Sequence, residues 1–201
     1  MKLTVITAGL SEPSSTAMLG DGLAAATERA RAELASGTEP LEITRIDLRG
    51  LAKDLTNQML TRVPSPALSD ALDAVAESDA LIAVSPVFNA SYSGLFKTFF
   101  DVLDEGTLAG RPVLLGATGG TARHSLAIDQ AMVPLFFYLK ADVVPTPVFA
   151  ATDDWGDNAS HLTRRMDTAG RALARRLLQA PEHTASDPFA DVTPFAELLG
   201  R

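Results

Sequence analysis

The chain contains no cysteine. Disulfides, thiolate metal sites, iron–sulfur clusters and cysteine nucleophiles are excluded together, and a reducing, cytoplasmic setting is expected. Long hydrophobic runs are also missing. No stretch approaches the roughly 20 apolar residues of a membrane-spanning helix. The first eight residues are too short for a signal peptide and include Thr4 and Thr7. Gly9 to Ser15 shows no cleavage pattern, so this start reads as a first β-strand. Positive charge is in deficit: 17 Lys and Arg against 25 Asp and Glu, a net −8. Nucleic acid and anionic membrane need a basic face and are poor partners for such a chain. Histidine occurs three times, scattered, so no metal site is expected. His161 and His183 read as solvent-exposed. No internal repeat is visible.

Against these absences, 46% of the 201 residues are hydrophobic. At roughly 150 residues per domain, one compact domain with an appendage is expected. A domain of this size buries about 70% of its unfolded surface. Residues 3–8 form a β-branched-rich run ending in a Gly/Ser loop. Residues 16–35 are Ala-rich and helical, with Glu28, Arg29, Arg31 and Glu33 on the wet face and Ser36-Gly37 as a stop. Residues 41–47 alternate as an edge-like strand should. Residues 49–63 are irregular with one short helical piece, and 66–77 are helical with Pro66 in the first turn. The runs 80–85 and 112–117 are continuously apolar, as strands buried on both faces are. Helices are expected at 94–103 and 122–139. Residues 143–149 read as a fifth strand, which Pro145 and Pro147 move to a sheet edge. A last helix, 160–178, carries the stripe Leu162, Met166, Ala169, Leu173 and Leu177. Its arginines belong to the wet side.

Strands alternating with helices predict an α/β fold, a doubly wound five-stranded parallel sheet in the flavodoxin-like order 2-1-3-4-5. One domain is expected over 1–178. Residues 179–201 form a tail with Pro181, Pro188 and Pro194 and the apolar Phe189, Phe195, Leu198 and Leu199. It reads either as a frayed end or as an arm docking on its own body or a neighbouring subunit. The segment 132–139 is apolar all round, which points to a subunit interface or to deep core packing.

Ligands of such sheets sit at the carboxyl ends of the central strands. Three loops lie there. Gly9-Leu10-Ser11-Glu12-Pro13-Ser14-Ser15-Thr16 runs into a helix. Hydroxyls of Ser11, Ser14, Ser15 and Thr16 beside a helix N-terminus suit a phosphate. Capping alone needs one hydroxyl. Neither a Walker loop nor a Gly-x-Gly-x-x-Gly fingerprint is present. The loop from Ser85 to Lys97 places flat apolar side chains beside backbone amides, which suits a conjugated ring with polar edges. Thr118-Gly119-Gly120-Thr121 lets backbone approach a ligand, or simply turns from strand to helix.

The stretch Pro86-Val87-Phe88-Asn89-Ala90-Ser91-Tyr92-Ser93-Gly94-Leu95-Phe96-Lys97 resembles the flavin-loop motif of NAD(P)H-dependent FMN reductases. The stretch from Ala117 to Asp129 resembles the same region of the FMN reductases that supply two-component monooxygenases, as in alkanesulfonate use. The resemblance spans about residues 1–178. It departs where the family often has Gly-Ser and then an Arg: Leu10 and Glu12 stand there, and Glu12 is expected to point away from an anion. The family often has Tyr at the place of Phe88.

The resemblance implies hydride transfer from NADPH or NADH to flavin N5, with no acid–base residue of the protein required. It implies FMN phosphate on Ser11, Ser14, Ser15 and Thr16. The ribityl chain and ring would meet Pro86, Val87, Phe88, Asn89, Ser91 and Gly94, with Thr118, Gly119 and Gly120 opposite. Arg123 and His124 either meet the phosphates of the dinucleotide or form a surface pair at a helix start. Trp155 reads as packing or subunit contact. Dimers or tetramers, and a monooxygenase receiving reduced FMN, are further implications. An FMN-bound quinone, azo or nitro reductase and a non-enzymatic flavodoxin-like carrier stand as alternatives.

Overall fold

The two uninterrupted apolar runs become the middle of one sheet. In the computed structural model, residues 1–180 are described, apart from 36, 38 and 157. β3 (Ala80–Phe88) and β5 (Pro112–Gly119) pair in parallel from Leu81↔Val113 to Pro86↔Thr118. β1 (Lys2–Thr7) pairs in parallel with β3 on one side and with β2 (Glu42–Asp47) on the other. β6 (Asp142–Val143) and β7 (Val148–Ala151) both pair with β5 in parallel. The order is β2-β1-β3-β5-β6, with β7 further along β5 and the short β4 (Ser91–Tyr92) antiparallel to β3.

The sheet therefore has seven strands rather than five. The expected fifth strand is interrupted. Val143 pairs with Val113 and Val148 pairs with Gly116. Two residues of β5, Leu114 and Leu115, thus face four of the partner, Val144 to Pro147. Pro145 and Pro147 have no N–H to give to a ladder, so the extra residues bulge out there. The other addition is a hairpin where the sequence suggests a loop. Asn89 and Ala90 have φ of 48° and 69°. Positive φ at both central residues is what a two-residue type I′ turn requires.

Alternation along the strands feeds two cores. One face of the sheet contributes Ile6, Leu81, Ala83, Val113, Leu115 and Ala117. The other contributes Leu3, Val5, Ile82, Val84 and Leu114. α1 (Ser15–Leu34) and α6 (Ala159–Gln179) cover the second face through Leu19, Leu23, Leu162, Ala169 and Leu173. α2 (Ala52–Thr61), α3 (Pro66–Ala76) and α4 (Gly94–Asp101) cover the first. There Phe100 stands 4.7 Å from Phe96 and 4.8 Å from Phe136, ring centre to ring centre.

The helix expected over 122–139 is broken into a 3₁₀ turn (Ala122–His124), a π turn (Ile128–Met132) and α5 (Val133–Tyr138). Pro134 explains the break. Its ring clashes with the carbonyl of Gln130 and its nitrogen donates nothing, and a wider turn just ahead absorbs the misfit. The apolar segment around it divides: Met132 and Phe136 are fully buried, while Phe137 and Tyr138 are 63% and 84% exposed. Arg31 is likewise not on a wet face but buried, at 4% exposure. Arg111, just ahead of β5, is buried too and closes α3 by donating to the carbonyls of Val75 and Ala76. Burial pushes its guanidinium down to about 10, with Asp79 opposing the shift, so it stays charged at neutral pH. α6 runs through Gln179, one residue past the expected domain edge. The expected tail, from 181 on, and His183 within it lie outside the described residues. Among the described residues, no helix is long and apolar enough to cross a membrane.

α1 and α6 touch where Gly170 faces the α1 backbone. A Cβ there would stand 2.6 Å from Ala26 C and Thr27 N. Gly to Ala inside a helix ordinarily stabilises by about 0.5–1 kcal/mol. Gly170→Ala should do the reverse, lowering stability by about 1–3 kcal/mol through overpacking. A urea midpoint that rises in this variant would contradict the helix contact.

Candidate active site

The first loop is folded tightly onto α1. A Cβ on Gly9 would come 2.0 Å from Ser14 Oγ, so no side chain fits there. Ser14 is the N-cap, and its Oγ accepts from Ala17 N–H at 3.2 Å. The N–H groups of Ser15 and Thr16, in the first turn, lack intrahelical acceptors by geometry. No acidic residue stands in that turn to neutralise the positive helix end. Thr16 Oγ1 lies 2.9 Å from Thr118 Oγ1, both buried. This hydroxyl pair ties the first loop to the end of β5.

The second segment is held at its base by Ser85. Its Oγ accepts from Ser93 N–H and donates to Pro86 O, both at 2.9 Å. Ser93 Oγ then caps α4 by accepting from Phe96 N–H at 3.1 Å. The β3–β4 hairpin so anchored projects Phe88, which is 45% exposed. Gly119 completes the third segment; its α-carbon lies over Phe149, and a Cβ would meet that ring at 2.9 Å.

These segments enclose a cavity of about 650 Å³, within the ~300–1,000 Å³ usual for small-molecule sites. Of the residues singled out from the sequence, Ser11, Ser15, Thr16, Pro86, Val87, Phe88, Thr118, Gly119 and Gly120 line it. Ser14, Asn89, Ser91 and Gly94 do not. Ser14 is spent on capping, Asn89 and Ser91 build the hairpin, and Gly94 starts α4. Arg123 and His124 are exposed on the 3₁₀ turn, outside the lining; His124 Cβ is beside Gly119. Glu12 faces away, its carboxylate exposed and 3.5 Å from Arg49.

Leu10, Ala150, Thr152 and Trp155 also line the cavity, and sequence reasoning did not place them there. Ala150 lies near the end of β7, and Thr152 and Trp155 follow it at the same carboxyl edge of the sheet. Ending the fifth strand at Ala151 instead of Phe149 would have brought them under the rule that selected the other loops.

Among the described residues, none that lines the cavity carries an ionisable side chain. The site offers hydroxyls, backbone amides, a helix end and apolar walls. Such a lining suits a flat, polar-edged, anionic ligand.

A doubly wound α/β sheet with its cavity over the carboxyl ends of the strands defines a flavodoxin-like protein. A flavodoxin from the domain Archaea shares that fold, with a TM-score of 0.59 at 14% identity over 89% of this chain and 99% of that one. Within that class the chain belongs to the NADPH-dependent FMN reductase family, whose model matches residues 1–156. It is 38% identical to the NADH-dependent FMN reductase SfnF of Pseudomonas fluorescens, over 78% of this chain and 80% of that one. It is 35% identical to an FMN reductase (NADPH) of Pseudomonas aeruginosa, covering 87% and 89%. The crystal structure of an oxidoreductase from Corynebacterium diphtheriae superposes with a TM-score of 0.84 at 42% identity, covering 90% and 98%. The protein is an oxidoreductase that reduces FMN with NAD(P)H. The cavity fits the flavin chemically: uncapped N–H groups and hydroxyls for a phosphate, and Pro86 to Phe88 with Gly119-Gly120 for a flat ring.

The left-handed conformation of Ala90 costs roughly 1–2 kcal/mol for an L-residue. Ala90→Gly should therefore raise stability by about 0.5–1 kcal/mol, after glycine's own entropy loss. Calorimetry showing a lower melting temperature would exclude the type I′ hairpin that projects Phe88.

Proposed function

We propose that this reductase uses FMN as an exchangeable substrate and passes the reduced flavin to a partner monooxygenase. The observation that carries the reading is the uncharged lining: among the described residues, no Lys or Arg lines the cavity. Dipoles and hydroxyls give modest anchoring, and modest anchoring permits release.

In this reading Ser11, Ser15 and Thr16, with the first N–H groups of α1, receive the phosphate. Ser14 keeps that helix end in place by capping it. Pro86, Val87 and Phe88 form one wall for the flavin, and Thr118, Gly119 and Gly120 the other, with Asn89, Ser91 and Gly94 shaping the hairpin from behind. FMN supplies the redox chemistry, its N5 accepting the hydride given up by the nicotinamide. The chain's part is to hold the flat ring between its walls and keep water from its buried side. Arg123 and His124, exposed on the 3₁₀ turn that follows Gly119-Gly120, would meet the dinucleotide's phosphates. Relatives named for NADH and for NADPH both resemble the chain, so the donor is given as either.

The working unit is the domain expected over residues 1–178, which α6 extends through Gln179. Counting the parallel strands alone, and the interrupted fifth as one, its sheet runs in the order 2-1-3-4-5 with a hairpin added. Exposed Phe137 and Tyr138 beside half-buried Leu135 and Leu139 support a homodimer or homotetramer built on α5. The dependence on NAD(P)H supports a cytoplasmic site of action.

The test is steady-state NAD(P)H oxidation with free FMN varied, after gel filtration. Saturable dependence on added FMN is expected. Flavin that stays bound through filtration and turns over a quinone instead would overturn the release reading. Ser11→Ala with Ser15→Ala should weaken FMN binding by about 1.5–3 kcal/mol per charged hydrogen bond lost, leaving riboflavin binding unchanged. An unchanged FMN-to-riboflavin affinity ratio would remove the phosphate assignment. Salt gives an independent check. The phosphate meets no cation here while the chain carries −8, so screening should leave FMN affinity flat or slightly raised at high ionic strength. A steep loss with salt would mean that an ion pair holds the phosphate.

A further inference from the structure

The cavity has a fourth wall that the flavin-loop motifs do not include. β7 ends at Ala151 and runs into a 3₁₀ turn, Thr152–Trp155, which sets the half-buried Trp155 against the cavity. This turn is clamped. Asp154 Oδ2 accepts from Ala151 N–H at 2.8 Å. Asp154 Oδ1 pairs with Arg165 of α6 at 2.7 Å, and Arg165 also donates to Phe149 O at 2.6 Å. One guanidinium thus joins α6, the end of β7 and the turn. Phe149, so held, lies under Gly119. Trp155 also packs against the core cluster that α1 and α6 form with the sheet.

The sheet order places Trp155 opposite Phe88. β3 and β7 flank β5 on its two sides, so the hairpin bearing Phe88 and the turn bearing Trp155 rise on either side of Gly119-Gly120. Among the described residues, no other aromatic ring lines the cavity they bound.

We propose that Trp155 is a flavin-contacting residue, its indole lying against the isoalloxazine, and that Asp154 and Arg165 are the positioning residues that hold it there. The proposal rests on the flavin occupying this cavity. Trp155 then sets ring affinity where the phosphate site contributes no full charge.

Flavin fluorescence tests this directly. A photoexcited flavin takes an electron from an indole or phenol in van der Waals contact and returns it without emitting. Trp155 is the chain's only tryptophan, and neither tyrosine, Tyr92 nor Tyr138, lines the cavity. FMN bound to the unaltered protein should be dark. FMN bound to Trp155→Phe should be several-fold brighter, with an unchanged circular dichroism spectrum and melting temperature. Trp155→Ala should weaken FMN binding on the order of tenfold, raising KM for FMN more than it lowers kcat. Arg165→Met should brighten bound FMN in part; darkness equal to the unaltered protein would remove the positioning role. Equal brightness in the unaltered protein and Trp155→Phe, with FMN bound by both, would overturn the Trp155 contact and leave the flavin cavity standing. Failure of the unaltered protein to bind FMN would overturn both.

Discussion

The close seating of α1 on the sheet is the constraint on which the site depends. Gly20 faces Val5 and Thr7, where an added Cβ would come within 3.0 Å of each. Gly116 of β5 faces Leu19 and Val84, both within 3.3 Å of a Cβ placed there. Gly170 lets α6 rest on the α1 backbone. Three missing side chains thus let α1 lie low between the sheet and α6. Its N-terminus then opens level with the ends of β1, β3 and β5. Raised by even one methyl layer, Thr16 could not reach Thr118 at 2.9 Å, and the first loop would lose its tie to the third. Packing far from the cavity fixes the geometry within it.

Much of this was legible in one dimension because burial on both faces leaves a plain mark. The runs 80–85 and 112–117 have no polar alternation, and both lie in the centre of the sheet. The alternation of 41–47 marks β2, which sits at an edge. Loops at the ends of such strands could be picked out for the same reason. What was hidden depends on contacts between distant segments or on local backbone choices. Ser14 looks like its neighbours in sequence, but only one hydroxyl can cap the helix. Arg31 reads as wet on its helix, but the folded chain buries it. A π turn ahead of Pro134 and positive φ at Ala90 are conformations that those residue types do not announce. Trp155 follows strand residues interrupted by two prolines, and the interruption hid where the strand ends.

The balance of forces in the cavity also follows from its lining. A dianionic ligand would approach a chain of net charge −8, and among the described residues no cation lines the cavity. Long-range electrostatics therefore oppose association, weakly at physiological ionic strength, where fields fall off within about 8 Å. The helix end and hydroxyls act only at contact, which makes them a filter for phosphate geometry rather than an attractor for anions. Affinity must then come mainly from the apolar flat surface. Aromatic contacts supply area at small entropic cost because few torsions are frozen.

That division has a consequence for turnover. A site anchored by an arginine fork holds its phosphate in both redox states of the flavin, because the anchor does not sense the ring. A site anchored through its walls senses the ring directly. Reduction changes the ring's electron density and its planarity, so wall contacts change while the phosphate contacts do not. Binding energy placed in the walls is therefore available to favour one redox state over the other, as a differential affinity must be for any shift of occupancy. An enzyme whose product leaves to serve a second protein benefits from that placement. An electron carrier that keeps its flavin through many cycles benefits from the opposite one. In the release reading, a lining that among the described residues has no ionisable side chain and has two aromatic side chains at its sides suits the first.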